Sequence, residues 1–208
     1  MNRHFFLSIC IVMLIASAIA FAAKETPRMD KILIVPVGGE ISEKEMGFLV
    51  QPLRETFGAS VSFSPRMPLP AYAYNRERKQ YLSSTILNML NSQVRVPENG
   101  RALAVTNEDL YVPDLNFVFG QADTLTGVAI ISLARLRPEF YGQAPDEPTF
   151  HHRAITEAVH EIGHTLGLNH CPDVKCVMHF SNSLVDTDIK GHRFCIRCRE
   201  VLGIESRR

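Results

Sequence analysis

Between residues 30 and 136 the apolar positions switch between two periods, and each switch marks a new element. "DKILIVPVGG" (30–39) is rich in β-branched residues and ends on two glycines, which predicts a strand. "SEKEMGFLVQPLRETFG" (42–58) has helical spacing. Ser42 caps it, Met46, Phe48, Leu49 and Leu53 form its apolar side, Pro52 kinks or shortens it and Gly58 stops it. "ASVSFS" (59–64) predicts a second strand. After a proline-rich loop, "NRERKQYLSSTILNMLNSQ" (75–93) predicts a second helix burying Tyr81, Leu82, Ile86, Met89 and Leu90. Three strand-like runs follow: "RALAVTNEDLY" (101–111), "NFVFGQA" (116–122) and "GVAIISLARL" (127–136). A loop through Pro138, Gly142, Pro145 and Pro148 leads to a long helix over about residues 150–166, whose stripe of Ile155, Ala158, Val159, Ile162 and Leu166 faces the core. Beyond Gly167 the pattern is loop-like, with little to fill a second core. Strands and helices alternate early and strands cluster later, so the chain is expected to be an α/β (α+β) unit: a mixed sheet with helices packed against it.

Charge narrows the partners. Lys and Arg number 22, as do Asp and Glu, so the chain lacks the basic excess that nucleic acid or an anionic membrane would require. The first residues stand apart from the fold. Arg3 and His4 precede an apolar run from Phe5 to Ala23 that ends in small residues, with Ala18-Ile19-Ala20 and Ala20-Phe21-Ala22 as cleavage candidates. That is the layout of a secretory signal peptide over residues 1–22, followed by one domain over 23–208. The run is also long enough for an uncleaved N-terminal anchor, the one way this chain would meet a membrane, and both readings stand. Cleavage removes Arg3 and leaves a net charge of −1. The mature protein is expected to be exported (periplasmic, extracellular or in the cell envelope) and monomeric.

The long helix ends in "AVHEIGHTLGLNHC" (158–171). Helical residues four apart point the same way, so His160 and His164 can offer two imidazoles to one ion. Glu161 projects to the neighbouring side, within reach of a water on that ion. Gly167 permits the left-handed turn that brings His170 back as a third ligand. Three protein ligands and one open position describe a catalytic zinc site, and His-Glu-x-x-His-x-x-Gly-x-x-His is the metzincin form of the zinc-protease helix.

Four cysteines follow: Cys171, Cys176, Cys195 and Cys198. In an exported protein two disulfides are the ordinary expectation, while the C-x4-C and C-x2-C spacing equally suits a closed zinc site. His151, His152, His179 and His192 read as surface or structural residues, with His179 a candidate for the cleft. Glu157, one turn before Glu161, either orients a ligand histidine from behind or is a solvated helix glutamate.

"HEIGHTLGLNHCPDVKCVM" followed by "CIRC" resembles the archaemetzincins, a family of metzincin-clan zinc metallopeptidases. "LAVTNEDLYVPDLNFVFGQADTLTGVAIISLARLRPEFYG" and "FSNSLVDTDIKGHRFC" resemble the same family, and the likeness spans roughly residues 31–203. It implies a compact metzincin-like fold with an active-site helix, a small zinc-stapled C-terminal segment and two zinc ions. One is catalytic, on His160, His164 and His170. The other is structural, on Cys171, Cys176, Cys195 and Cys198, and would pin the backbone beside His170. Met178, eight residues after His170, matches the methionine that metzincins place as an apolar floor.

The implied activity is hydrolysis of a peptide or protein substrate by a zinc-activated water, with Glu161 as general base. An extended substrate would pair along an edge strand, for which "GVAIISLARL" is the candidate. Two other classes compete: a non-catalytic peptide- or protein-binding protein on the same fold, and a four-cysteine zinc module in nucleic-acid or protein binding. The intact Glu161 argues against the first. The second has only a locally basic tail in its favour (Lys190, Arg193, Arg197, Arg199, Arg207 and Arg208), against a neutral chain.

Overall fold

The computed structural model describes residues 29–39 and 41–204. The segment 1–22, read as a signal or anchor, lies outside the described residues. Among the described residues no helix is long and apolar enough to cross a membrane.

The elements run β1 (Lys31–Pro36), α1 (Glu43–Met46), α2 (Val50–Phe57), β2 (Ser60–Phe63), β3 (Tyr74–Asn75), β4 (Gln80–Leu82), α3 (Ser83–Gln93), β5 (Gly100–Thr106), β6 (Leu110–Tyr111), β7 (Gly120–Asp123), β8 (Val128–Ser132), α4 (Glu147–Thr165), α5 (Leu184–Lys190) and α6 (Ile196–Leu202). The main sheet has the order β2-β1-β5-β8-β7; its first four strands are parallel and β7 runs antiparallel to β8. A small second sheet has the order β3-β4-β6.

Alternation within the central strands fills two cores. Ile32, Ile34, Leu103, Val105, Ala129 and Ile131 join Leu53 and Phe57 of α2 and Ala154, Ala158, Val159 and Ile162 of α4 on one face. Val35, Ala102, Ala104, Val128 and Ile130 join Ile86, Leu87 and Leu90 of α3 on the other. Burial on both faces explains why β5 and β8 read as continuous apolar runs. Each large side chain so buried contributes about 1.5–3 kcal/mol.

The first helix is broken. Ser42 closes a capping box with Glu45, but a 3-10 turn over Gly47–Leu49 separates α1 from α2. Pro52 falls in the first turn of α2, where a missing N–H costs nothing, and Gly58 ends that helix at φ 66°. The second helix is shorter than its pattern. Residues 75–82 form a hairpin instead, because the Asn75 side chain accepts from the N–H groups of Glu77 and Arg78 and stabilises a turn.

The region after Gly167 contains two helices, α5 and α6, where a loop was expected. They form no second core. Leu168, Cys171, Cys176, Val177, Met178, Phe194 and Cys198 pack into the main one. "GVAIISLARL" is an inner strand (β8) followed by a 3-10 turn over Ala134–Leu136, so it is no edge. The edge is β7.

Candidate active site

α4 begins at Asp146, whose carboxylate accepts from Thr149 N–H, and carries Pro148 in its first turn. It lies between the sheet and the C-terminal segment, so its polar face is also buried, including Glu157, His160 and Glu161. The chain reverses at Gly167, φ 89°, and delivers His170 beside the helix. The ring centroids of His160 and His170 are 5.5 Å apart, and those of His164 and His170 are 4.9 Å apart. One ring nitrogen from each of the three histidines lies within 4.8 Å of the others.

The hydrogen bonds fix which nitrogens face inward. His160 Nδ1–H donates to Val177 O at 2.7 Å, and His164 Nδ1–H donates to Leu168 O at 2.7 Å. Both Nε2 atoms therefore carry lone pairs, and they face each other at 3.1 Å. That contact is not a hydrogen bond, since neither atom has a proton to give. It is close to the edge of a zinc–nitrogen tetrahedron, about 3.3 Å for Zn–N bonds of 2.0–2.1 Å, so the site suits a cation. Burial lowers the pKa of all three histidines, His160 furthest, where the Lys190 charge adds to it; at His170 the His164 charge adds to it. Neutral imidazoles are what a metal requires.

Glu161 is 5% exposed and lies against Gly120 of β7. Burial pushes its carboxyl well above the ordinary carboxylate value, and the Glu157 charge pushes it further. Gly163 meets Met178 from the opposite side. A Cβ there would come 2.5 Å from Met178 Sδ, so the methionine forms a floor under the helix and ligates nothing.

The four cysteine sulfurs lie within 4.8 Å of one another, and all four cysteines are free. Cys171 Sγ is 3.8 Å from Cys195 Sγ, and Cys176 Sγ is 3.7 Å from Cys198 Sγ. A disulfide holds its sulfurs at about 2.05 Å, whereas the edge of a zinc–thiolate tetrahedron is about 3.8 Å. Burial, then the Cys176 and Cys195 thiols, push the Cys198 thiol well up. A divalent cation removes that conflict by binding the thiolates. The two clusters share a backbone: Cys171 follows His170, and its N–H donates to Met178 O at 2.8 Å.

A cleft of about 420 Å³ opens over the histidines, between β7 with the preceding Leu115–Phe119 stretch and the Phe180–Asn182 segment. Phe119 O accepts from Ser132 N–H at 2.8 Å. By antiparallel alternation Phe119, Gln121 and Asp123 spend their main-chain groups on β8, leaving those of Gly120 and Ala122 to face the cleft.

The remaining sequence-derived candidates divide. Glu157 is buried at the cleft wall, not solvated, and pairs with Lys190 Nζ at 3.2 Å and Thr187 Oγ1 at 3.1 Å. His179 Nδ1–H donates to Cys171 O and staples that turn rather than lining the cleft. His151 stacks on Phe48, and His152 meets His192 edge to face. Lys190 had no role beyond a basic tail, yet its side chain is fully buried behind His160. Phe180, whose ring centroid is 4.8 Å from that of His170, also went unnoticed, because nothing in its local pattern marks it.

Fold and site together define a zinc-dependent metallopeptidase of the metzincin type. Residues 64–203 match the model of peptidase family M54, and the chain belongs to that family. It is 44% identical over 172 residues to the archaemetzincin of Methanocaldococcus jannaschii, covering 83% of this chain and 92% of that protein. It is also 44% identical over 174 residues to the archaemetzincin of Pyrococcus furiosus, covering 81% and 90%. Among solved structures, archaemetzincin from Archaeoglobus fulgidus complexed with malonate aligns with a TM-score of 0.70 at 37% identity, over 82% of this chain and 99% of that one. A zinc-dependent peptidase from Methanocorpusculum labreanum aligns with a TM-score of 0.74 at 30% identity, over 82% and 99%.

Proposed function

We propose that His160, His164 and His170 hold a catalytic zinc, that Glu161 is the general base, and that Cys171, Cys176, Cys195 and Cys198 hold a second, structural zinc. The observation that carries this is the pair of lone-pair-bearing Nε2 atoms facing each other at 3.1 Å beside Glu161. Zinc at that point supplies a Lewis acid that acidifies water and polarises the scissile carbonyl. The substrate is an extended peptide, paired antiparallel to β7 through the main-chain groups of Gly120 and Ala122. Glu161 accepts a proton from the attacking water and passes it to the leaving amide nitrogen, so that water adds across the C–N bond. The His160 and His164 side chains stay oriented by Val177 O and Leu168 O throughout. The thiolate cluster anchors the chain next to His170 and ties the C-terminal segment to the main core. We also place the mature enzyme outside the cytoplasm, on the charged-then-apolar pattern of residues 1–22.

Zinc content and peptide turnover test the reading together. Wild type is expected to hold two zincs per chain and His164→Ala one. Glu161→Gln is expected to hold both and to lose turnover. Wild-type turnover by Glu161→Gln ends the base assignment, and one zinc in both wild type and His164→Ala ends the histidine site.

A further inference from the structure

α5 is only seven residues long, yet two ion pairs on successive turns clamp it to α4. Arg153 reaches Asp188 with two bonds, 2.7 and 2.8 Å, and the Asp188 side chain is 39% exposed. Glu157 reaches Lys190 at 3.2 Å, with side chains 3% and 0% exposed. The outer pair is enough to dock a short helix. The inner pair is a poor way to add stability, because desolvating two charges offsets most of their attraction. Its location suggests another role. Lys190 Nζ donates to His179 O at 3.2 Å and lies 3.4 Å from His160 Nδ1. The segment it grips carries Val177 O, the acceptor for His160 Nδ1–H, and Met178, the floor under Gly163. Thr187 Oγ1–H holds the opposite end, donating to Glu157 Oε1. Three side chains thus join α4, α5 and the Val177–His179 turn directly behind one histidine.

We infer that Lys190 and Glu157 are positioning residues of the metal centre: the buried pair locks the Val177–His179 turn against α4, and so fixes the carbonyl that orients His160. The inference rests on the histidine site of the proposed function. Besides its close approach to His160 Nδ1, Lys190 acts on the centre by holding that turn. An ammonium suits the task because it donates in several directions at once, to a carboxylate on one element and a carbonyl on another. The outer pair, one turn away, touches neither the turn nor a histidine.

The test is zinc release to a chromophoric chelator, with the histidine-site fraction defined as the fraction missing from His164→Ala. The double variant Glu157→Gln/Lys190→Met keeps a partner for Thr187 and leaves no lone buried charge. It is expected to hold histidine-site zinc about 10–100-fold more weakly, as loss of an orienting contact behind a ligand does elsewhere. Its melting temperature with that site stripped is expected to stay within a few degrees of wild type, and its KM for a peptide is expected to be unchanged. The control Arg153→Gln/Asp188→Asn is expected to melt lower and to hold zinc as wild type does. Thr187→Val is a milder probe should the double variant not fold, with a smaller weakening in the same direction. Wild-type zinc affinity in the double variant, or in Thr187→Val if that is the variant measured, overturns the inference. So does equal zinc loss in the control, which would reduce the pair to helix docking. If wild type has no zinc fraction that His164→Ala removes, the histidine site itself fails and this inference fails with it.

Discussion

Gly120 and Glu161 are in contact across the cleft: a methyl group on Gly120 would fall 2.6 Å from Glu161 Cγ and 2.7 Å from a carboxylate oxygen. The edge strand and the proposed base are therefore fitted to one another, and the strand can carry only a hydrogen at that point. Gly120→Ala is expected to push the carboxylate out of line. A displacement of about 1 Å costs on the order of 100-fold in rate, so kcat/KM for a peptide is expected to fall by about that factor. Overpacking of this kind also costs about 1–3 kcal/mol of stability. Unchanged kcat/KM in Gly120→Ala would show that Glu161 has room to spare.

The second tight fit lies beneath the helix. A Cβ on Gly163 would meet Met178 Sδ at 2.5 Å and Phe194 Cε1 at 3.2 Å, and Met178 is fully buried. Gly163→Ala is expected to lower stability by about 1–3 kcal/mol through overpacking, measured by denaturant unfolding. Displacing Met178 also moves Val177 O, so zinc at the histidines should loosen. Adding Met178→Ala to the same chain is expected to recover part of the Gly163→Ala loss, because neighbours do not add. Strictly additive losses would mean that the two do not share the space.

How much of this was legible depends on the distance over which each feature is decided. His160, Glu161 and His164 stand on one helix, whose period alone places them together, and the turn at Gly167 is a local consequence of its backbone. The strands β1, β5 and β8 announced themselves as apolar runs. Their order did not, because pairing is decided by contacts far apart in sequence. "VAIIS" was read as an edge although all five residues are buried, as an inner strand requires, while the true edge is the polar "GQAD". The hairpin at 74–82 was lost for a different reason. "NRERKQYL" suits a helix by composition, but the Asn75 side chain caps a turn, Lys79 takes a left-handed φ of 55°, and β4 pairs with β6. Lys190 was illegible because its burial exists only once α5 docks on α4.

Acidification should separate the metal-free protein from the loaded one. Burial first, and the Lys190 charge second, hold the His160 pKa well below its ordinary value of about 6.5 in the folded chain. The unfolded chain takes up this proton below about pH 6.5 and the folded chain does not, so stability is intact above that pH and falls as pH drops through it. The slope from His160 alone is about 1.4 kcal/mol per pH unit. Metal-stripped protein is therefore expected to lose melting temperature between about pH 6.5 and 5, and zinc-loaded protein to lose it more steeply, because its unfolding also hands protons to the histidines and thiolates that zinc had kept deprotonated. A melting temperature of the metal-stripped protein that does not fall over this range would mean that His160 is protonated as easily in the fold as outside it.

The thiolate cluster gives the clearest separation of zinc from disulfide chemistry. Its sulfurs stand 3.7–3.8 Å apart, and Cys195 N–H donates to Cys176 Sγ at 3.3 Å, as a backbone does toward a thiolate. With zinc chelated under denaturing, non-reducing conditions, alkylation is expected to label all four of these cysteines in the mature chain; labelling of none would establish two disulfides instead. Cys198→Ser leaves three thiols, and the zinc-binding energy that a closed site lends to folding should drop with it. The α6 region has a thin apolar contribution of its own, with Ile196 and Val201 exposed and Phe194 and Cys198 buried. Limited proteolysis of Cys198→Ser is therefore expected to cut after Met178 at rates well above wild type. Because Cys171 is bonded through its N–H to Met178 O and adjoins His170, the same variant should also bind histidine-site zinc more weakly. Wild-type protease resistance together with two zincs in Cys198→Ser would show that the cluster neither staples the segment nor supports the catalytic histidines.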